Sequence, residues 1–223
     1  MAVLLSPAPV MPPPRQESSQ SWLQCLGLHT VQHHAPADTA RLTVLDEPSV
    51  TRYRSFLARI YGFEAAVECQ VSGVRGLEVA LYGARARLAR LHQDLGALGL
   101  DAAAITALPR ATVAVHDTSA GLGWLFVIER HVLLASLIRR VLEAESPALA
   151  RATAYFATHA DGGVRLRDFG DVLRSAITYR HARPDQLVAA ARRAFEAQQQ
   201  WYVRSTQRNF RRTYARGSAA VCS

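Results

Sequence analysis

Residues 121–142 read GLGWLFVIERHVLLASLIRRVL, an apolar run about as long as a bilayer is thick, with Glu129, Arg130 and His131 at its middle. Three polar side chains in succession at a bilayer centre cost too much for a membrane span. The run therefore predicts a helix buried in an all-α core. Its polar triplet must face a cavity, a partner or a ligand, because unpaired charge inside a core is destabilising.

The flanking sequence is helical in pattern almost throughout. Asp117, Thr118 and Ser119 supply N-caps for the apolar helix, and Ser146 with Pro147 stops it and starts the next. Upstream, Tyr53, Phe56, Leu57, Ile60, Tyr61, Glu64 and Val67 fall at i, i+3, i+4 spacing, predicting one largely apolar stripe from a start near Ser49. Leu77, Val79, Leu81, Leu88, Leu91 and Leu95 predict the inward face of a helix over residues 76–98, followed by a short helix over 102–108. A weakly patterned first helix over residues 21–34 is expected to stop at Pro36. Downstream, a loop at Asp161, Gly162 and Gly163 precedes a helix over 166–179 and a long last helix from Pro184 to about residue 214. Only residues 111–115 hint at a strand. The expected fold is all-α, a single-domain multi-helix bundle over residues 21–214, with a disordered Pro-rich leader at 1–20 and a flexible tail at 215–223.

The 223 residues are enough for one domain with a sizeable core. Lysine is absent, so all 26 basic residues are arginine, and the net charge of +8 reflects that codon-level bias as much as function. Arg204, Arg208, Arg211, Arg212 and Arg216, interleaved with Phe210 and Tyr214, read either as an anion-binding tail or as a solvated helix end. No nucleic-acid motif accompanies them, and no nucleic-acid partner is expected. Cys25, Cys69 and Cys222 are too few and too scattered for a disulfide framework or a metal site, which suits a reducing cytoplasm. The leader lacks the charged start and apolar length of a secretion signal.

The segment GLGWLFVIERHVLLA resembles the distal helix of heme oxygenases, whose bacterial members read roughly L-G-x-L-Y-V-x-E-G-S-x-L-G-G. Gly121, Leu122, Gly123, Leu125, Phe126, Val127, Glu129 and Leu133 fall in register with that pattern. Weaker similarity extends from about His34 to Trp201. The resemblance implies a helical clamp around heme, oxidative cleavage to biliverdin, carbon monoxide and ferrous iron, and electrons from a ferredoxin or flavoprotein reductase. The porphyrin carries that chemistry, while the protein holds it and supplies a polar path for protons.

By the same resemblance His34 is the proximal iron ligand, with Asp38 matching an acidic residue that follows it; His33 and His29 are close competitors. Arg174 matches an arginine that pairs with a heme propionate. Glu129, Arg130 and His131 would line the distal side with Leu134 and Ala135. Here the chain departs from the family: Arg130, Leu134 and Ala135 stand where glycines let the helix backbone approach the macrocycle. His131 could hydrogen-bond a distal water or ligate iron, or be a core histidine paired with Glu64, Glu68 or another acid. Loss of the glycines keeps open a non-catalytic alternative that binds another tetrapyrrole, an apolar ligand or a protein partner. Glu64, Glu68, His92, Asp94 and Glu129 could also be read as a di-metal carboxylate site, but the E-x-x-H element of such sites is missing.

Overall fold

Ten α-helices, one short 3-10 helix at Thr43–Leu45 and no strand occur among the described residues, 19–158 and 162–219 of a computed structural model. They are α1 (Ser19–Leu42), α2 (Val50–Val71), α3 (Glu78–Ala97), α4 (Ala102–Thr106), α5 (Thr118–Glu129), α6 (Val132–Glu145), α7 (Pro147–Ala150), α8 (Ala154–Ala157), α9 (Gly162–Thr178) and α10 (Pro184–Ala219). The all-α expectation holds, and residues 111–115 form no strand. The expectations for residues 1–18 and 220–223 lie outside the described residues. Residues 19–20, expected as the end of a disordered leader, belong to α1, and residues 215–219, expected as part of a flexible tail, belong to α10.

Ser49, Asp117 and Ser146, at helix starts read from the sequence, and Asp101, not among the expected caps, each accept a backbone N–H three residues on, from Arg52, Ala120, Leu149 and Ala104. Two glycines expected in a loop, Gly162 and Gly163, instead open α9.

Two further boundaries differ from expectation. Helix α1 continues through Pro36 to Leu42. A proline inside a helix removes one hydrogen bond and strains the preceding turn. What lies beyond it is anchored by tertiary contacts: Asp38 forms a two-pronged ion pair with Arg130, and Arg41 is fully buried. The apolar run, in turn, is two helices rather than one. Between α5 and α6 the backbone tightens, with His131 N–H donating to Ile128, Leu133 to Arg130 and Leu134 to His131, all three residues back.

That tight turn has a geometric use. On a continuous helix, residues two apart point about 200° away from each other. Here Glu129 and His131 are both buried, at 4% and 5% exposure, while Arg130 between them reaches α1. The stretch Thr118–Glu145 is long and apolar enough by composition to cross a membrane, but most of it is buried inside this fold.

The interior divides into two apolar clusters. One gathers α5, α9, α10 and the second half of α2 around Phe63, Val67, Leu122, Leu125, Phe169 and Phe195. The other gathers the start of α2, the end of α3, α6 and α8 around Tyr53, Leu57, Leu91, Ile138, Leu142 and Phe156. Helices α5 and α10 pack closest: a Cβ on Gly123 would come within 2.7 Å of both the Ala190 Cβ and the Ala191 backbone nitrogen. Only glycine allows that approach.

Candidate functional site

At the junction of the two clusters sits a dense set of buried polar side chains. Arg87, carried into the interior by the apolar stripe of α3 it shares with Leu91 and Leu95, is 1% exposed. Its guanidinium donates to Glu129 Oε1 at 2.7 Å and lies 3.4 Å from Glu64 Oε2. Arg165 of α9 grips Glu129 from the other side, at 2.6 and 3.2 Å. The Tyr155 hydroxyl of α8 donates to Glu64 Oε1 at 2.5 Å. The network thus ties α2, α3, α5, α8 and α9 together through two carboxylates and two guanidiniums.

His131 completes it, and its tautomer follows from its partners. Glu64 Oε1, 3.3 Å from Nδ1, can only accept, so Nδ1 carries the proton. Nε2 then accepts from the Gln198 amide of α10 at 2.8 Å. Both ring nitrogens are committed. Burial, with the nearby charges of Arg41 and Arg87, drives this imidazole down to about 4 against the pull of Glu64, so it is neutral.

The two acids differ in electrostatics. Burial would raise Glu64, but the hydrogen bond from His131 and the charge of Arg87 outweigh it and bring the carboxyl to about 2. Burial pushes Glu129 up, to about 7, with Glu64 adding to the push and Arg87 opposing it. Burial also works against the charge on Arg87, yet Glu129 and Glu64 hold that guanidinium above its ordinary value. Arg41 lies over the Phe56 ring at 5.9 Å, beside Tyr155, Tyr202 and Glu64.

The residues expected to clamp a heme are arranged differently. Thr30 Oγ1 donates to the Leu26 carbonyl at 2.7 Å, so it accepts at 2.9 Å from Nε2–H of His34. That nitrogen carries a proton, not a free lone pair. Burial and the charge of Arg130 hold His34 below its ordinary value, against Asp38. The His34 and His33 rings both pack on Phe195 of α10, at centroid distances of 5.6 and 5.7 Å. Phe126 of α5 meets the same ring edge-on at 6.3 Å. Phe195 therefore fills the space between the candidate proximal helix and the candidate distal helix. His29 is exposed, and its carbonyl accepts from Arg192.

Arg130, at a position where the family has glycine, bridges that same gap by its ion pair with Asp38 at 2.6 and 2.8 Å. Ala135 is buried and Leu134 half-buried in the second apolar cluster. Arg174 is exposed and paired with Asp171 one turn earlier on α9, at 3.3 Å. As arranged, these side chains do not fit a flat iron porphyrin, because an aromatic ring and an ion pair occupy the space it needs.

The di-metal reading gains no donor set. Glu64 and Glu129 are brought together, but Arg87 and Arg165 hold Glu129 while Tyr155 and His131 hold Glu64 Oε1 and Arg87 lies against its other oxygen. His92 is exposed, and Asp94 accepts the Ala154 and Tyr155 N–H groups at 3.0 and 2.8 Å to cap α8. No group of three metal-binding side chains occurs among the described residues.

Sequence reasoning found Glu64, Glu129 and His131 but missed Arg41, Arg87, Tyr155, Arg165 and Gln198. A signal existed for Arg87, a charged residue four and eight positions before Leu91 and Leu95 on the same stripe. For Arg165 and Gln198, nothing local distinguishes them from surface residues. No family model, no curated protein and no solved structure matches this chain.

Proposed function

We propose that this chain is a non-catalytic helical binding protein, resembling heme oxygenases in helix order while lacking their central chemistry. One observation carries the reading: Phe195 is wedged between His33 and His34 on one side and Phe126 on the other, between the two helices that would have to clamp a macrocycle. The Arg130–Asp38 pair supports it by spanning the same gap. So does the full commitment of both His131 nitrogens, which leaves no distal imidazole for iron or for a bound water. The central polar cluster then serves architecture. Its two carboxylates face the guanidiniums of Arg41, Arg87 and Arg165 inside a low-dielectric core, where removing one partner is strongly destabilising. Recognition falls to the surface.

The competing reading is heme cleavage with His34 as iron ligand, favoured by the half-exposed position of His34 and by Asp38 one turn on. A hemin titration of the purified protein, followed by absorbance, separates the two. The expected result is no saturable Soret shift and no bilin on adding ascorbate under oxygen. A stoichiometric Soret band that disappears in His34→Ala, with the helical circular dichroism unchanged, would overturn the proposal.

A further inference from the structure

A concavity lies away from the central cluster, where three connections converge. It is a cleft of about 580 Å³ between the end of α2, the α2–α3 turn, the segment entering α5, and the α9–α10 turn. Such a volume is in the range of small-molecule sites. Its polar side chains are Gln70, Arg75, His116, Asp117, Thr118 and His181.

The walls are fixed by the fold. The Ser119 hydroxyl, buried in the first turn of α5, accepts the Arg183 N–H at 2.9 Å and so ties the α9–α10 turn to the start of α5. His181 is presented by a helix end in which its own N–H reaches back to the Ala176 carbonyl at 2.8 Å. Arg180 before it takes the left-handed conformation at φ 59° that glycine usually supplies. Across the cleft, Val74 and Val115 pack into the first apolar cluster and hold the α2–α3 turn against the α5 entry.

The chemistry of the lining is one-sided. Arg75 is cationic, while His116, His181, Gln70 and Thr118 can donate hydrogen bonds. The one carboxylate, Asp117, is turned to the Ala120 N–H at 2.8 Å as the cap of α5. We infer that this cleft binds a small molecule through an oxyanion group, a phosphate or a carboxylate, held by the Arg75 guanidinium with His116 and His181 as flanking donors. Arginine's planar fork matches either group in two-pronged fashion. The site shares no residue with the central cluster, so it stands or falls independently of the hemin result.

The test is an NMR titration of the full chain with inorganic phosphate and, separately, with succinate, at ionic strength held constant with sodium chloride. The histidine ring protons of His116 and His181 are the probes. Saturable shifts are expected for at least one of the two anions, and the arm that saturates at lower concentration names the group. Arg75→Ala, at an exposed position, is expected to weaken that binding about tenfold, a loss typical of one charge-assisted pair. Arg140→Ala on α6, outside the cleft, is expected to leave it unchanged. Shifts that stay linear to high anion concentration, that sodium chloride alone reproduces, or that Arg75→Ala leaves intact would overturn the inference.

Discussion

His131 shows how a single buried residue makes stability depend on pH. Its folded value of about 4 lies below the ordinary 6.5, so between those values the unfolded chain takes up a proton that the folded chain refuses. Its neutral form thus contributes fully above pH 6.5, and the contribution is lost as pH falls toward 4. His131→Gln removes that titration. The stability gap between wild type and variant, measured by urea unfolding at steps of pH, is expected to narrow below pH 6.5 by up to about 1.4 kcal/mol per unit. Parallel curves would show that the imidazole is not neutral in the fold. Arg87 has the opposite character, since its charge is what the cluster needs. Arg87→Met leaves two carboxylates facing each other without their shared counter-charge, a loss of about 3–5 kcal/mol. Chemical denaturation at pH 7 measures it, and a change below 1 kcal/mol would mean that Arg165 alone suffices.

At the scale of the helices, patterning announced most of what is seen, and the exceptions have physical causes. Helix α2 was legible because Tyr53, Phe56, Leu57, Ile60 and Val67 all face inward at helical spacing. The continuation of α1 past Pro36 was not, because Asp38 pairs with Arg130 and Arg41 sits beside Tyr155 and Tyr202, all far away in sequence. The break at Arg130 was hidden for a similar reason: the residues there are good helix formers, and what divides them is the separate burial of Glu129 and His131. Close packing of α5 on α10 is equally invisible in a single sequence, although Gly123 marks it. Gly123→Ala is expected to destabilise by about 1–3 kcal/mol through overpacking against Ala190 and Ala191. Gly96→Ala in α3, where a Cβ would meet nothing, is expected to stabilise by about 0.5–1 kcal/mol. Thermal melts of the two variants should move in opposite directions; a shared direction would contradict the packing described.

For the whole molecule, the all-α class was readable from the absence of alternating patterns, whereas the candidate site was readable only in part. The acids and His131 stood out because polar residues interrupt an apolar run. The filling of the supposed heme gap did not, since it depends on Phe195, an apolar residue on an amphipathic helix like any other. Phe195→Ala is expected to cost about 3–5 kcal/mol, because its ring is buried between α1 and α5. A loss under 1 kcal/mol would mean that the space collapses or was never filled. The charged seam between the two apolar clusters carries one more consequence. Oil-like contacts do not run unbroken through this interior, so opening of one half need not drag the other with it. Amide hydrogen exchange should then sort into two cooperative units with separate opening free energies, the first apolar cluster with α5 and α10 on one side, the second with α6 and α8 on the other.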